Sequence, residues 1–199
     1  MLKQMTILIV LTLTISCNFA IGATLHVPGD YETIQEGINA SITGDTVIVA
    51  SGIYRGDGNR DLEFGGRMIT LKSEVGPEYT ILDVQGSEAN EHRGFYVHSN
   101  ETQNTVIEGF TIRNGWKMHG GAVYTHEADP TFVNCRFQDN ESTAQGGAVV
   151  IWTSNARFFN CVFDGNHCDE AGGAVHITST SNPYFSDCFF KGTRIYWGE

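Results

Sequence analysis

The tetrapeptide Gly120-Gly121-Ala122-Val123 recurs as Gly146-Gly147-Ala148-Val149 and again as Gly172-Gly173-Ala174-Val175, at steps of 26 residues. A second motif keeps the same phase. It reads Asn134-Cys135-Arg136-Phe137, then Asn160-Cys161-Val162-Phe163, then Asp187-Cys188-Phe189-Phe190, at steps of 26 and 27. A third position holds Asn140, Asn166 and Thr193. Three features repeating in one phase demand a repeat architecture, in which each period is a structural unit stacked on the next.

Each period contains two or three short runs rich in Val, Ile, Phe and Thr, broken by Gly, Asn, Asp and Ser, with no helical spacing of apolar residues. Coils of short strands and turns stack as a parallel β-helix whose rungs lie about 4.8 Å apart, so residues one period apart sit on top of one another. Phe137, Phe163 and Phe190 are then expected to stack inside, with Cys135, Cys161 and Cys188 beside them. Asn140 and Asn166 should stack at a bend, and the Gly pairs should form a corner that a Cβ would obstruct. Upstream, residues 67–73 (RMITLKS), 94–98 (GFYVH) and 121–126 (GAVYTH) fit one strand position. Residues 105–114 (TVIEGFTIRN) fit that of the Cys strands. Before them, residues 31–40 place Ile34 and Ile38 four apart behind Asp30 as a cap, which predicts a short amphipathic helix covering the N-terminal coil.

Residues 25–54, with HVPGDYETIQEGINA followed by GDTVIVASGIY, resemble the N-terminal segment of pectin-lyase-like right-handed parallel β-helix proteins. The GGAV motifs and the pairs Phe137-Asn140 and Phe163-Asn166 are similar to repeats of chlamydial polymorphic outer-membrane proteins and related bacterial surface proteins. The resemblance implies an all-β fold: a right-handed parallel β-helix solenoid with a short N-terminal α-helical cap, in about five or six coils. It says little about activity, because one fold hosts many functions.

Two features bear on location. Lys3, an apolar run at residues 7–15 and the small residues Ala20 and Gly22 read as a signal peptide over residues 1–22, cleaved before Ala23. The run is too short to span a membrane, which takes about 20 apolar residues. Cys17 is a candidate for lipid modification, although Thr14 stands three residues before it where a lipoprotein signal has Leu. A secreted or cell-surface protein is expected, with residues 23–199 forming the β-helix. Gly198 falls about where the next Gly pair should open, with Phe185, Phe189, Ile195, Tyr196 and Trp197 near an uncovered end, so a C-terminally truncated solenoid is expected. The net charge of −11, from 23 acidic and 12 basic residues without a basic block, argues against a nucleic-acid partner.

The most suggestive side chains form a surface stripe. If the aligned strands alternate, Thr70, Tyr96, Tyr124, Val150 and His176 point outward in one row, and Lys72, His98, His126, Trp152 and Thr178 in the next. Tyr96, His98, Tyr124, His126, Trp152, His176 and Lys72 are therefore the candidate ligand-binding residues. Sugar rings stack on Tyr and Trp faces while polar tips exchange hydrogen bonds. Exposed strand faces also favour aromatics for cross-strand packing alone. For catalysis, Lys72, His98 and His126 are conceivable bases, and Glu127 and Asp129 could hold a cation such as calcium. No acid–base cluster is matched residue by residue, so the catalytic residues are unknown and no cofactor is required. The bases near the stripe are Lys72, Arg67 and Lys117 alone, which makes a neutral glycan or a protein surface an easier partner than a polyanion.

Cys135, Cys161 and Cys188 read as stacked buried thiols. Disulfides are geometrically accessible to an exported protein, but three in a column leave one unpaired. Cys168, between His167 and Asp169, reads as a loop cysteine. Two functions stay open. One is an exported, non-enzymatic module presenting the aromatic and His strand face to a polysaccharide or a cell-surface protein. The other is a polysaccharide-active enzyme of the pectate or alginate lyase type, with part of its catalytic coils outside this sequence.

Overall fold

The computed structural model describes residues 22–178 and 180–195. The expected signal peptide, apart from Gly22, and Cys17, Tyr196 and Trp197 lie outside the described residues. The chain winds as a parallel β-helix with four strand positions per coil. Residues Val106–Glu108, Thr111–Arg113, Trp116–His119 and Val123–His126 make one full turn, and Thr131–Val133 starts the next directly above Val106–Glu108. Stacked strands pair in parallel and form sheets of seven, six, four and four strands. The expected column register holds: Phe137 pairs with Phe163 and Phe163 with Phe190, and Val123, Val149 and Val175 pair in turn.

The interior is built from ladders of like residues. Phe137 and Phe163 stack with centroids 4.8 Å apart, Phe163 and Phe190 at 4.5 Å, and Phe132 and Phe158 at 5.0 Å. Within a coil the two Phe columns meet edge on, Phe132 against Phe137 at 69°, so both offset and edge-to-face contacts fill the core. Asn140 and Asn166 are fully buried at a bend. Asn140 Nδ2 donates to the Ile112 carbonyl and to Asn166 Oδ1, while its own Oδ1 accepts from the Gly115 amide. These side chains satisfy turn backbone that no strand partner reaches.

The glycine pairs form the corner for two separate reasons. Gly120, Gly146 and Gly172 have φ of 62°, 60° and 75°, a left-handed conformation that other residues adopt at a cost. Their neighbours need closeness instead. A Cβ on Gly147 would lie 2.3 Å from the carbonyl oxygens of both Gly173 and His167.

Four expectations are corrected. The helix spans Ile34–Ala40 and its cap is Thr33, whose hydroxyl accepts from the Glu36 amide while Glu36 returns a bond to the Thr33 amide. Asp30 instead accepts from the His26 amide. Ile34 and Ile38 are buried against the first coil, so the covering role holds. Secondly, Thr70–Ser73 does not share a position with Phe95–Val97. It pairs with Thr46–Val49 and Val106–Glu108 in the seven-stranded sheet, and Leu62 bridges to Phe95 in its place. Alternation fits a strand to any face, and the long excursion over residues 55–66 hid the phase. Thirdly, four successive coils from Trp116 onward have a further strand. Trp116–His119, Glu141–Gln145, His167–Cys168 and Arg194–Ile195 form their own sheet. Sequences such as ESTAQ carry no apolar signal, because Ser142 and Ala144 face inward. Finally, Cys168 belongs to that sheet rather than to a loop. It is buried, and its thiol donates to the carbonyls of Ala144 and Ala171. Cys135, Cys161, Cys168 and Cys188 are all free thiols.

Candidate functional site

The outer face of the strands Phe95–Val97, Val123–His126, Val149–Trp152 and Val175–Ile177 carries a ladder of rings. Pairing puts Tyr96 beside Tyr124, Tyr124 beside Val150, Val150 beside His176, and His126 beside Trp152. Tyr96 and Tyr124 stack at 5.6 Å with 7° between planes, and His98 stacks on Tyr96 at 3.8 Å. His126 stacks on Tyr124 at 6.2 Å, and Trp152 meets His126 edge on at 6.5 Å. Five of the seven predicted residues thus form one continuous surface, with His176 on the last strand of the same sheet. Lys72 is not part of it. It lies on the seven-stranded sheet, where its Nζ is 3.2 Å from Glu108 Oε1.

The ring faces are used differently from the expectation. Tyr96 and Tyr124 cover each other along the solenoid axis, so their edges and hydroxyls are what the surface presents. Trp152, 40% exposed, is the ring that can take an apolar sugar face. Val150 is fully buried despite its outward position. The corner at Gly146 folds back so closely that a Cβ there would meet Val150 Cγ2 at 2.8 Å.

The extra sheet makes this face one wall of a groove. His119 ends the strand just before the Gly120-Gly121 corner, with its ring centroid 6.5 Å from that of Tyr124. Gln145 pairs with His119 one coil above. From below, residues 86–93 run beside Trp116, with His92 and Trp116 exchanging backbone hydrogen bonds. This brings Arg93 against the ladder, its guanidinium carbon 5.4 Å from the Tyr96 centroid and 5.2 Å from that of Tyr124. Asp61 joins the two segments, holding the Arg93 amide with Oδ1 and the His92 ring with Oδ2.

Burial has left polar atoms of this groove without hydrogen-bond partners: Arg93 Nη1, His98 Nε2, His119 Nδ1 and Gln145 Oε1. The nearest acid to His98 Nε2 is Glu63, at 3.6 Å. Burial pushes the Tyr124 hydroxyl above its ordinary value, and the neighbouring Tyr96 adds to this against the opposing charge of Arg93. Burial likewise pulls His119 below 6.5, reinforced by Arg93 and His176 and opposed by Glu170. Near neutral pH the groove therefore offers a neutral phenol and a neutral imidazole, both able to donate and accept hydrogen bonds.

Arg93, His119 and Gln145 were not among the predicted site residues. The signal for His119 and Gln145 was the repeat phase, since both stand directly before a Gly pair. Arg93 had none: a lone base in a loop reads as solvated until the fold sets it against two tyrosines. Asp129, named with Glu127 as able to hold a cation, accepts from the Asn155 amide. Among the described residues no cluster of His, Cys, Asp and Glu side chains is close enough to hold a metal ion. A separate cavity of about 480 Å³ lies on the outer face of the seven-stranded sheet, between Arg157, Phe159 and Tyr184. It is open and lacks the convergent unpartnered groups of the groove.

The four-position coil, its parallel ladders and the capping helix describe a solenoid whose family can be stated. The model of the right-handed β-helix region matches residues 35–196. The chain belongs to the right-handed β-helix family. No curated protein and no solved structure matches it. Membership of this β-helix family settles the architecture and leaves the ligand to the groove's own chemistry.

Proposed function

We propose that this β-helix is an exported, non-enzymatic module that binds a glycan along the groove of Tyr96, His98, Tyr124, His126, Trp152 and His176. The observation that carries the reading is the coincidence, on one face, of a continuous ring ladder with buried polar atoms that lack protein partners. Sugars present the complement: apolar ring faces for a side chain such as Trp152, and a fringe of hydroxyls for His98, His119 and Gln145. The leader-like first 22 residues support export.

Binding of the mature chain to a panel of neutral and acidic polysaccharides, read by calorimetry, tests this. Trp152→Ala should weaken binding by about tenfold, the worth of a well-placed aromatic contact. Its melting temperature should barely change, because Trp152 is half in solvent. No binding to any polymer by the parent chain would end the glycan reading, and an unsaturated uronate product would end the non-enzymatic one.

A further inference from the structure

Arg93 is 9% exposed. Its Nη1 is buried without an acceptor, and no side-chain hydrogen bond or ion pair joins its guanidinium to any described residue. The carboxylates whose charge reaches it are engaged elsewhere. Asp61 spends one oxygen on the Arg93 amide and the other on the His92 ring. Glu91 lies 3.6 Å from the Lys117 ammonium, which also donates to the Glu91 carbonyl. Buried charges in folded proteins are paired, because desolvation without a counter-charge is expensive. The two tyrosine faces recover only part of that cost, and burial accordingly pulls the Arg93 pKa down.

We propose that Arg93, held alongside the stacked Tyr96 and Tyr124, with His119 near it, is a binding site for a single oxyanion. A guanidinium fork matches a carboxylate or a sulfate ester with two parallel hydrogen bonds. The neutral His119 imidazole, its ring centroid 6.5 Å from that of Tyr124, can donate a third from its N–H. The anion comes either from an acidic or sulfated sugar in the groove, in which case this deepens the glycan reading, or from a free ion. This reverses the expectation that a face with only Lys72, Arg67 and Lys117 near it favours a neutral partner. Over a screening length of about 8 Å, a local desolvated cation outweighs distant surface acids.

The Arg93 side-chain Nε–Hε resonance of the intact mature chain reports on the site without any substitution. Sodium sulfate and sodium glucuronate should move it saturably, whereas sodium chloride at the same ionic strength should not. Arg93→Met should weaken glucuronate binding by about tenfold or more, and Arg93→Lys by less, as expected for losing charge-assisted hydrogen bonds. Acidic oligosaccharides should bind more tightly than their carboxyl-reduced counterparts. An Arg93 resonance unmoved by either anion, or equal binding of acidic and carboxyl-reduced oligosaccharides, overturns the oxyanion site while leaving a neutral-glycan reading standing. Saturation by the free anions with no oligosaccharide bound keeps the site and removes the glycan.

Discussion

Two glycines in tandem look redundant until each is given its own constraint. Gly146 needs a left-handed φ and Gly147 needs the absence of a Cβ, because two carbonyl oxygens of the coil above close on it. The two costs can be measured apart. Gly44, at φ +100° with nothing near an added Cβ, isolates the conformational penalty, and Gly44→Ala should cost about 1 kcal/mol. Gly147→Ala must move backbone on two coils and should cost about 3 kcal/mol. Urea melts of the two variants compare them, and equal losses would show that the close approach is relieved cheaply. At this scale sequence reasoning worked where a residue has one use. The stacked Asn140 and Asn166 amides and the inward Phe columns follow from type and spacing. It failed for Asp30, because Thr33 and Glu36 satisfy two backbone amides reciprocally and Asp30 is taken by the turn before them.

Strand pairing in a solenoid must be protected against slippage, and the six-stranded sheet does so with charge. Its outer row runs Asp83, Arg113, Gln138, Asp164, Lys191 from coil to coil. Asp83 Oδ2 accepts from Arg55 below at 2.9 Å and from Arg113 above at 3.1 Å, while Oδ1 takes Asn114 at 2.7 Å. Burial raises the Asp83 pKa, but the bonds from Asn114, Arg113 and Arg55 outweigh it and hold the carboxyl below its ordinary 3.8. A depressed carboxyl stabilises the fold at any pH above the unfolded value, and that contribution is lost as pH falls through the folded one. Asp83→Asn should therefore cost about 2 kcal/mol near neutrality, between an exposed and a buried pair. It should also flatten the fall in melting temperature on acidification below about pH 4. A melting profile unchanged at both ends of the pH range would assign the ladder no energetic role. The strand Thr70–Ser73 shows what an element's own sequence leaves open, since alternation names two faces of a strand but not the sheet it joins.

The whole molecule is close to one-dimensional, each coil touching those above and below through sheets and side-chain columns. Damage should therefore stay local. Phe163→Ala removes a ring sandwiched between Phe137 and Phe190 and should cost about 3–5 kcal/mol. By hydrogen exchange, Arg136–Gln138, Val162–Asp164 and Phe189–Lys191 should lose protection first. The helix-covered pair Thr24–Val27 and Thr46–Val49 should keep theirs. Uniform loss across all strands would mean that the solenoid unfolds as a single cooperative unit.

The periodic sequence determined the stacking of coils, the inward columns and the outward row from Tyr96 to Trp152. Residues one period apart must meet in any parallel solenoid, whatever its cross-section. The cross-section itself was decided only by the tertiary structure. A strand as polar as Glu141–Gln145 forms because its neighbours above and below supply the hydrogen bonds, not because its side chains prefer a sheet. That strand turns an exposed stripe into a groove, and the loop beneath it carries Arg93 out of solvent and against two stacked tyrosines. Burial and the absence of a counter-charge are properties of the assembled surface, and no local pattern of residues announces them.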